Sequence, residues 1–187
     1  KYIFKEGFGY VGIDFDVNTT MEVSRKPLPE TYRELGGDLN KVPQFIDKIH
    51  ELVHSEKSVN LTFPYEDTVE FINKLKENNI LCGIVTSNNT RHVKVVMEHL
   101  GLDPNIFKIF VGNDVTKLTK PDPGPILKAL EIAKYSGDLK DVVYVGDGIN
   151  DMKAAINAKV DAVLLDRDNE HPLNEYTKIK SLLELFN

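Results

Sequence analysis

The sequence is short of the residues that mark several specialised classes of protein. It has one cysteine in 187 residues, so no disulfide forms within the chain. Cys82 lies inside the apolar run "ILCGIV", the setting of a buried packing residue rather than of a nucleophile. The sequence also lacks a basic excess: 23 Lys and Arg stand against 29 Asp and Glu, the net charge is −6, and the two signs are interleaved. That balance excludes nucleic-acid binding driven by bulk charge. There is no apolar run of about 18 residues and no leader with a charged start, an apolar middle and a small-residue end. The expectation is a soluble, cytoplasmic protein with no membrane partner. Internal repeats and low-complexity segments are missing too.

What is present is a hydrophobic content of 41%, enough for one core with a modest insertion. Five short apolar runs lack polar alternation: "YVGI" (10–13), "ILCGIV" (80–85), "IFKIFV" (106–111), "VVYV" (142–145) and "AVLL" (162–165). Such runs predict strands buried on both faces, as in a parallel sheet covered by helices. Between them, "EDTVEFINKLKEN" places Val69, Ile72 and Leu75 on one helical face. "RHVKVVMEHLG" groups Val93, Val96, Met97 and Leu100 before stopping at Gly101. "PILKALEIAKYSG" is expected to stop the same way at Gly137, and "EYTKIKSLLELF" to close the chain as an amphipathic helix. Alternating strand and helix predict an α/β fold with right-handed crossovers. Residues 21–63 break this rhythm. Helical spacing at Phe45, Ile46, Ile49, Leu52 and Val53, and a weaker helix through "PETYRELGG" closed by Gly36 or Gly37, predict a small helical module there.

In an open parallel sheet the ligand lies beyond the carboxyl ends of the strands, so polar residues at those ends are candidates. After "YVGI" come Asp14 and Asp16, within "GIDFDVNTT"; after "ILCGIV" come Thr86, Ser87 and Asn88; after "VVYV" come Gly146, Asp147 and Asp151. Lys120 lies in "TKPDPGP", ahead of the helix that precedes the fourth strand. Carboxylates gathered at one rim raise each other's pKa unless a hard cation neutralises them. Mg²⁺ prefers oxygen ligands and suits the set better than zinc, because no His or Cys stands nearby in sequence. A lysine and a hydroxyl on the same rim suit a phosphate, and the amides that open the "NNTRHV" helix are further donors. Taken singly, each element has a plainer reading. "DFD" is a strand-end turn, Thr86 to Asn88 a helix cap, "KPDPGP" a proline-stiffened helix start and "GDGIND" an ordinary turn. All four in this order point to one site.

An Asp-x-Asp after the first strand, "IVTSN" after the second, "KPDP" before a helix and "YVGDGIND" after the fourth strand resemble the four motifs of the haloacid dehalogenase superfamily. The tail, from "VLLDRDNEHP" to "IKSLLEL", resembles its phosphoglycolate phosphatase-like branch. The resemblance implies a Rossmann-like, doubly wound parallel sheet over residues 1–20 and 64–187, with a short helical cap at 21–63 inserted after the first strand. It implies a Mg²⁺-dependent phosphohydrolase acting on a small phosphorylated metabolite. In that scheme Asp14 attacks phosphorus to give an aspartyl-phosphate, and Asp16 is the general acid and base. Thr86, Ser87, Asn88 and Lys120 bind the phosphoryl group, and Asp14, Asp16, Asp147 and Asp151 surround the metal.

The first motif departs from the family's Asp-x-Asp-Gly-Thr, with Val17 and Asn18 in place of Gly and Thr. Read two residues later, Asp16 becomes the nucleophile, Asn18 replaces the acid/base and Thr19 replaces the glycine. An amide cannot shuttle a proton, so the first register is preferred. The second register supports a lapsed enzyme that binds phosphate or serves as a scaffold. A phosphomutase shares the Asp-x-Asp pattern and is a further alternative.

Overall fold

Ile3, Phe4, Phe8, Val11 and Phe15 recur at helical spacing, and the start of the chain folds accordingly as a helix, α1 (Tyr2–Tyr10). The structure is a computed structural model describing residues 2–16, 28–169, 171 and 175–186. α1 ends in a turn where the Val11 and Ile13 amides donate to the Phe8 carbonyl at 3.1 and 3.0 Å, with Gly12 at φ +84°. The strand expected over 10–13 is therefore not formed. Its apolar residues have a helical partner instead. Phe8 stacks on Phe15 with ring centroids 4.8 Å apart and meets Phe45 at 4.8 Å, while Tyr32 stacks on Phe45, also at 4.8 Å. Aromatic pairs of this kind contribute about 0.5–1.5 kcal/mol each beyond their burial.

The chain divides into two compact units, Lys1–Thr62 and Phe63–Asn187. Besides α1, the first unit contains α2 (Leu28–Glu34), α3 (Val42–Val53) and α4 (Glu56–Asn60). Both helices expected within 21–63 are there. α2 closes at Gly36, φ +77°, and α3 buries Phe45, Ile49 and Leu52. Residues 2–16 group with these helices, whereas the sequence reading places residues 1–20 with the sheet-bearing unit. Val17, Asn18, Thr19 and Thr20 lie outside the described residues.

The second unit runs α5 (Thr68–Glu77), β1 (Gly83–Val85), α6 (Thr90–His99), β2 (Ile109–Val111), α7 (Gly124–Ile132), β3 (Val143–Gly146), α8 (Ile149–Ala158), β4 (Asp161–Leu165) and β5 (Thr177–Ile179). All pairings are parallel. β1 pairs with β2, Ile84 opposite Phe110; β3 pairs with β4, Tyr144 opposite Ala162; β4 pairs with β5, Leu165 opposite Ile179. The expected single sheet is thus two sheets, of two and three strands, among the described residues. β1 and β3 are each an edge here, and neither is buried on both faces: Val143 is 49% exposed. α7 packs on β1 and β2, α8 packs on β3 and β4, and the two helices share an apolar cluster of Ile126, Ala154, Ala155, Ala158 and Val160.

Three local expectations are corrected. α7 stops at Ile132 and not near Gly137, because Lys134 turns left-handed at φ +51° and the Tyr135 amide closes back on the Leu130 carbonyl at 3.0 Å. "EYTKIKSLLELF" is not one helix. Thr177–Ile179 extends the sheet beside β4, and a 3₁₀ turn (Leu182–Phe186) follows. Between them Glu184 accepts the amides of Lys180 and Ser181 at 2.8 and 2.9 Å, starting a new turn where a continuous helix would have to run through. Val69, placed with Ile72 and Leu75 on an apolar face, is 53% exposed while those two are buried. No helix among the described residues is long and apolar enough to cross a membrane.

Candidate functional site

The carboxyl end of β1 leads into Thr86, whose amide donates to the Val111 carbonyl at 2.8 Å. Its hydroxyl then accepts the Asn88 amide at 3.1 Å, a tight turn that short hydroxyl side chains favour. Asn113 fastens this turn to the loop after β2: its amide donates to the Asn88 carbonyl and its side-chain amide to the Ser87 carbonyl, both at 3.1 Å. The α6 cap is Asn89, which accepts the His92 amide at 2.7 Å, so Thr86, Ser87 and Asn88 are not the capping residues. Two of the amides opening α6 already have acceptors. Thr90 gives its amide to Asp114 at 2.9 Å and its hydroxyl to the same carboxylate at 2.6 Å, and His92 is held by Asn89.

Lys120 arrives from the other side, on a loop that several contacts hold in place. The Lys120–Pro121 peptide is cis, Asp122 accepts the Gly124 amide at 2.7 Å, and Asn157 of α8 donates to the Pro121 carbonyl at 3.1 Å. The ammonium meets Asp151 Oδ1 at 2.6 Å, with both side chains mostly buried. Asp151 stands in the first turn of α8, where its Oδ2 also accepts the Gly148 amide at 3.1 Å and so caps the helix. Tyr144 of β3 completes the group, 3.2 Å from Lys120 Nζ and 3.3 Å from Asp151 Oδ1. Burial opposes the charge on Lys120, but Tyr144 and Asp151 outweigh it, and the lysine pKa stands above its ordinary value. Burial pushes the Tyr144 hydroxyl up as well, against the pull of Lys120.

Thr86, Ser87, Asn113, Thr116 and Lys120 line one small cavity of about 20 Å³. That is room for roughly one water, or for one oxygen of a larger anion. A wider cleft of about 420 Å³ lies at the opposite end of β1, beside Leu81 and Cys82, away from this chemistry. Cys82 is half-buried and burial pushes its thiol up, in keeping with a packing role.

The second unit thus gathers Thr86, Ser87 and Lys120 around one cavity and joins Lys120 to Asp151, while Asp147 is exposed just ahead of α8. Asp14 and Asp16 belong to the first unit, where both are exposed on either side of the buried Phe15. Among the described residues no group of three or more His, Cys, Asp or Glu side chains assembles to hold a metal. Asp147 and Asp151 nonetheless suit Mg²⁺, which is commonly held by one or two carboxylates together with substrate phosphates and water. Sequence reading missed Tyr144, because in "VVYV" it passes for another apolar strand residue. It also missed Asn113, which no motif marks.

The family profile described as haloacid dehalogenase-like hydrolase matches residues 2–165. The chain belongs to this family. It is 30% identical to a phosphoglycolate phosphatase of Haemophilus influenzae (strain 86-028NP) over 102 residues, 54% of this chain and 44% of that protein. It is 31% identical to the PpaX protein of Caldanaerobacter subterraneus subsp. tengcongensis over 143 residues, 74% of this chain and 60% of that one. The chain therefore spans about half the length of these curated relatives. In fold it is similar to a hydrolase from Pseudomonas syringae, with TM-score 0.77 at 21% identity, covering 100% of this chain and 88% of that one.

Proposed function

We propose that this haloacid dehalogenase-like chain is a Mg²⁺-dependent phosphatase of a small phosphorylated metabolite. The observation that carries the reading is the buried Lys120–Asp151 pair at 2.6 Å, with Lys120 also lining the cavity of Thr86 and Ser87. A cation, two hydroxyls and a tight turn at one rim are groups that hold a phosphoryl oxygen. The phosphatase naming of the Haemophilus relative supports the same reading.

In this scheme Lys120 and Thr86 hold the phosphoryl group, with Ser87 and Asn88 beside them. Asp14 attacks phosphorus, forming an O–P bond as the ester oxygen leaves, and Asp16 delivers a proton to that oxygen. Asp16 then takes a proton from water, which attacks the aspartyl-phosphate and releases phosphate and free Asp14. Asp147 and Asp151, with Asp14 and Asp16, are the residues that would hold Mg²⁺. When bound, the ion offsets charge on the transferring group. Residues 21–63 take the part of the cap and set substrate choice.

The test is hydrolysis of an aryl phosphate by the wild-type chain and by Lys120→Met, which keeps the stem and removes the charge. Turnover is expected in the wild type and a large loss in the variant with its melting curve intact. Equal turnover in the two would return Lys120 to a helix-start role. A second reading is favoured by the position of "DFD" after α1 in the helical unit, rather than at the end of a strand. On that reading the α/β unit binds a phosphoryl group without a carboxylate nucleophile. Phosphate binding without hydrolysis of any ester is its signature.

A further inference from the structure

The three-way contact of Lys120, Asp151 and Tyr144 contains more hydrogen bonding than an ion pair requires. We propose that Tyr144 is a positioning residue that aims the Lys120 ammonium at the bound phosphoryl group. This rests on the reading of Lys120 as a phosphoryl ligand.

A lysine side chain has several freely rotating bonds and an ammonium with three N–H donors. One donor goes to Asp151 Oδ1 at 2.6 Å. A single anchor of this kind would leave the ammonium free to swing about that bond. The second donor goes to the Tyr144 oxygen at 3.2 Å, and Tyr144 in turn donates to Asp151 Oδ1 at 3.3 Å. The triangle is closed, so the direction of the third N–H is set. Thr86 and Ser87 share with Lys120 the cavity in which a phosphoryl oxygen would take that donor.

Tyr144 is suited to the task because its own hydroxyl is held by a rigid ring with few rotatable bonds. That ring packs against the cluster of Ile126, Ala154, Ala155, Ala158 and Val160 between α7 and α8. The strand pairing of Tyr144 with Ala162 fixes its backbone. Lys120 Nζ is 3.2 Å from the hydroxyl and 5.8 Å from the ring centroid, so the ammonium stands beyond the oxygen at the ring's edge and not over its face. A phenylalanine would keep the packing and the ring. Only the hydroxyl serves the lysine.

The experiment compares wild type, Tyr144→Phe, Lys120→Met and the double variant by calorimetric titration with inorganic phosphate, and by aryl phosphate turnover. Tyr144→Phe is expected to weaken phosphate binding by about tenfold and to lower kcat by about ten- to a hundredfold with KM within about twofold. In the Lys120→Met background the same substitution should change neither quantity beyond about twofold, because there is no ammonium left to aim. Equal losses in both backgrounds, or no loss in the wild-type background, would overturn the proposal. Should Tyr144→Phe fail to fold, Tyr144→Met, whose flexible chain fills the same space, carries the same comparison. Coupled phosphate binding in a wild type that hydrolyses nothing would sustain the role of Tyr144 and reject the phosphatase reading. A wild type that neither binds phosphate nor hydrolyses an ester would overturn both.

Discussion

Asp67 and Arg167, 100 residues apart in the chain, meet as a partly buried ion pair with Nη1 donating to Oδ2 at 2.9 Å. The same carboxylate oxygen accepts the Ser181 hydroxyl at 2.9 Å and the Leu182 amide at 2.8 Å. The guanidinium lies over the Tyr65 ring, 4.0 Å from its centroid. One carboxylate at the start of α5 therefore ties down both the segment after β4 and the tail after β5. Burial by itself works to raise the Asp67 pKa, but Arg167, the Leu182 amide and Ser181 outweigh it and hold the carboxyl below its usual range.

Asp67→Asn is expected to destabilise the protein by about 2 kcal/mol, since it leaves the partly buried Arg167 without its counter-charge. A depressed carboxylate adds stability that is complete above its unfolded pKa of about 3.9 and is lost as pH falls through the folded value. In urea titrations the gap between wild type and variant should be constant from about pH 7 to about pH 5 and close below about pH 4. A gap that stays constant down to the lowest pH at which both proteins remain folded would mean that packing, not charge, is responsible.

Gly146 stands against the Asp151 side chain and tolerates little change. A methyl group there would overlap the Cβ and Cγ of Asp151, whereas at Gly148 the nearest atom is Asp151 Oδ2 at 3.5 Å. Gly146→Ala should cost about 1–3 kcal/mol by overpacking and should lower turnover along with it, since Asp151 must shift away from Lys120. Gly148→Ala is the control, with the smaller effect on both. Calorimetric melting and the aryl phosphate assay decide the matter. Full activity in Gly146→Ala would show that the Asp151 position is not demanding.

Removal of divalent ions by excess chelator should abolish hydrolysis, and Mg²⁺ should restore it. Ca²⁺ should inhibit, because its larger and looser coordination shell sets phosphoryl oxygens at the wrong distance. Undiminished turnover in chelator would remove the metal from the scheme.

Asp14→Asn and Asp16→Asn separate the two registers of the first motif. Both are exposed in the structure, so neither change should disturb packing and lost activity reports lost chemistry. With Asp14 as nucleophile, Asp14→Asn forms no phosphoenzyme. Asp16→Asn forms one that hydrolyses about 10²- to 10⁴-fold more slowly. Mass spectrometry of acid-quenched protein locates the phosphate. Its appearance on Asp16 would select the later register.

How much of this was legible beforehand depended on the range of the interactions involved. β1, β2, β3 and β4 formed at runs of apolar residues long enough to stand out, and α6 ended at Gly101 because the φ of +72° there suits glycine. Lys120 and Asp151 were likewise placed at one rim from motif order alone, since parallel strands bring their carboxyl ends together. "YVGI" misled because four apolar residues fit a strand and the end of a helix equally well. What settled the choice was the aromatic cluster of Phe8, Tyr32 and Phe45, contributed by residues far apart in the chain. The tail resolved into strand and turn because the edge of β4 offered backbone partners to Thr177–Ile179.

The sequence by itself determined the α/β alternation, the helical module within 21–63 and the chemical kind of side chain at the rim, because these follow from local periodicity and residue type, while the family entered through the resemblance of its motifs. Tertiary structure alone decided that Asp14 and Asp16 follow a helix, that Asn89 is the cap of α6, that Asp67 meets Arg167 and that Tyr144 bonds to both Lys120 and Asp151. Each of these depends on which distant segment fills the neighbouring space, and a one-dimensional pattern does not carry that information.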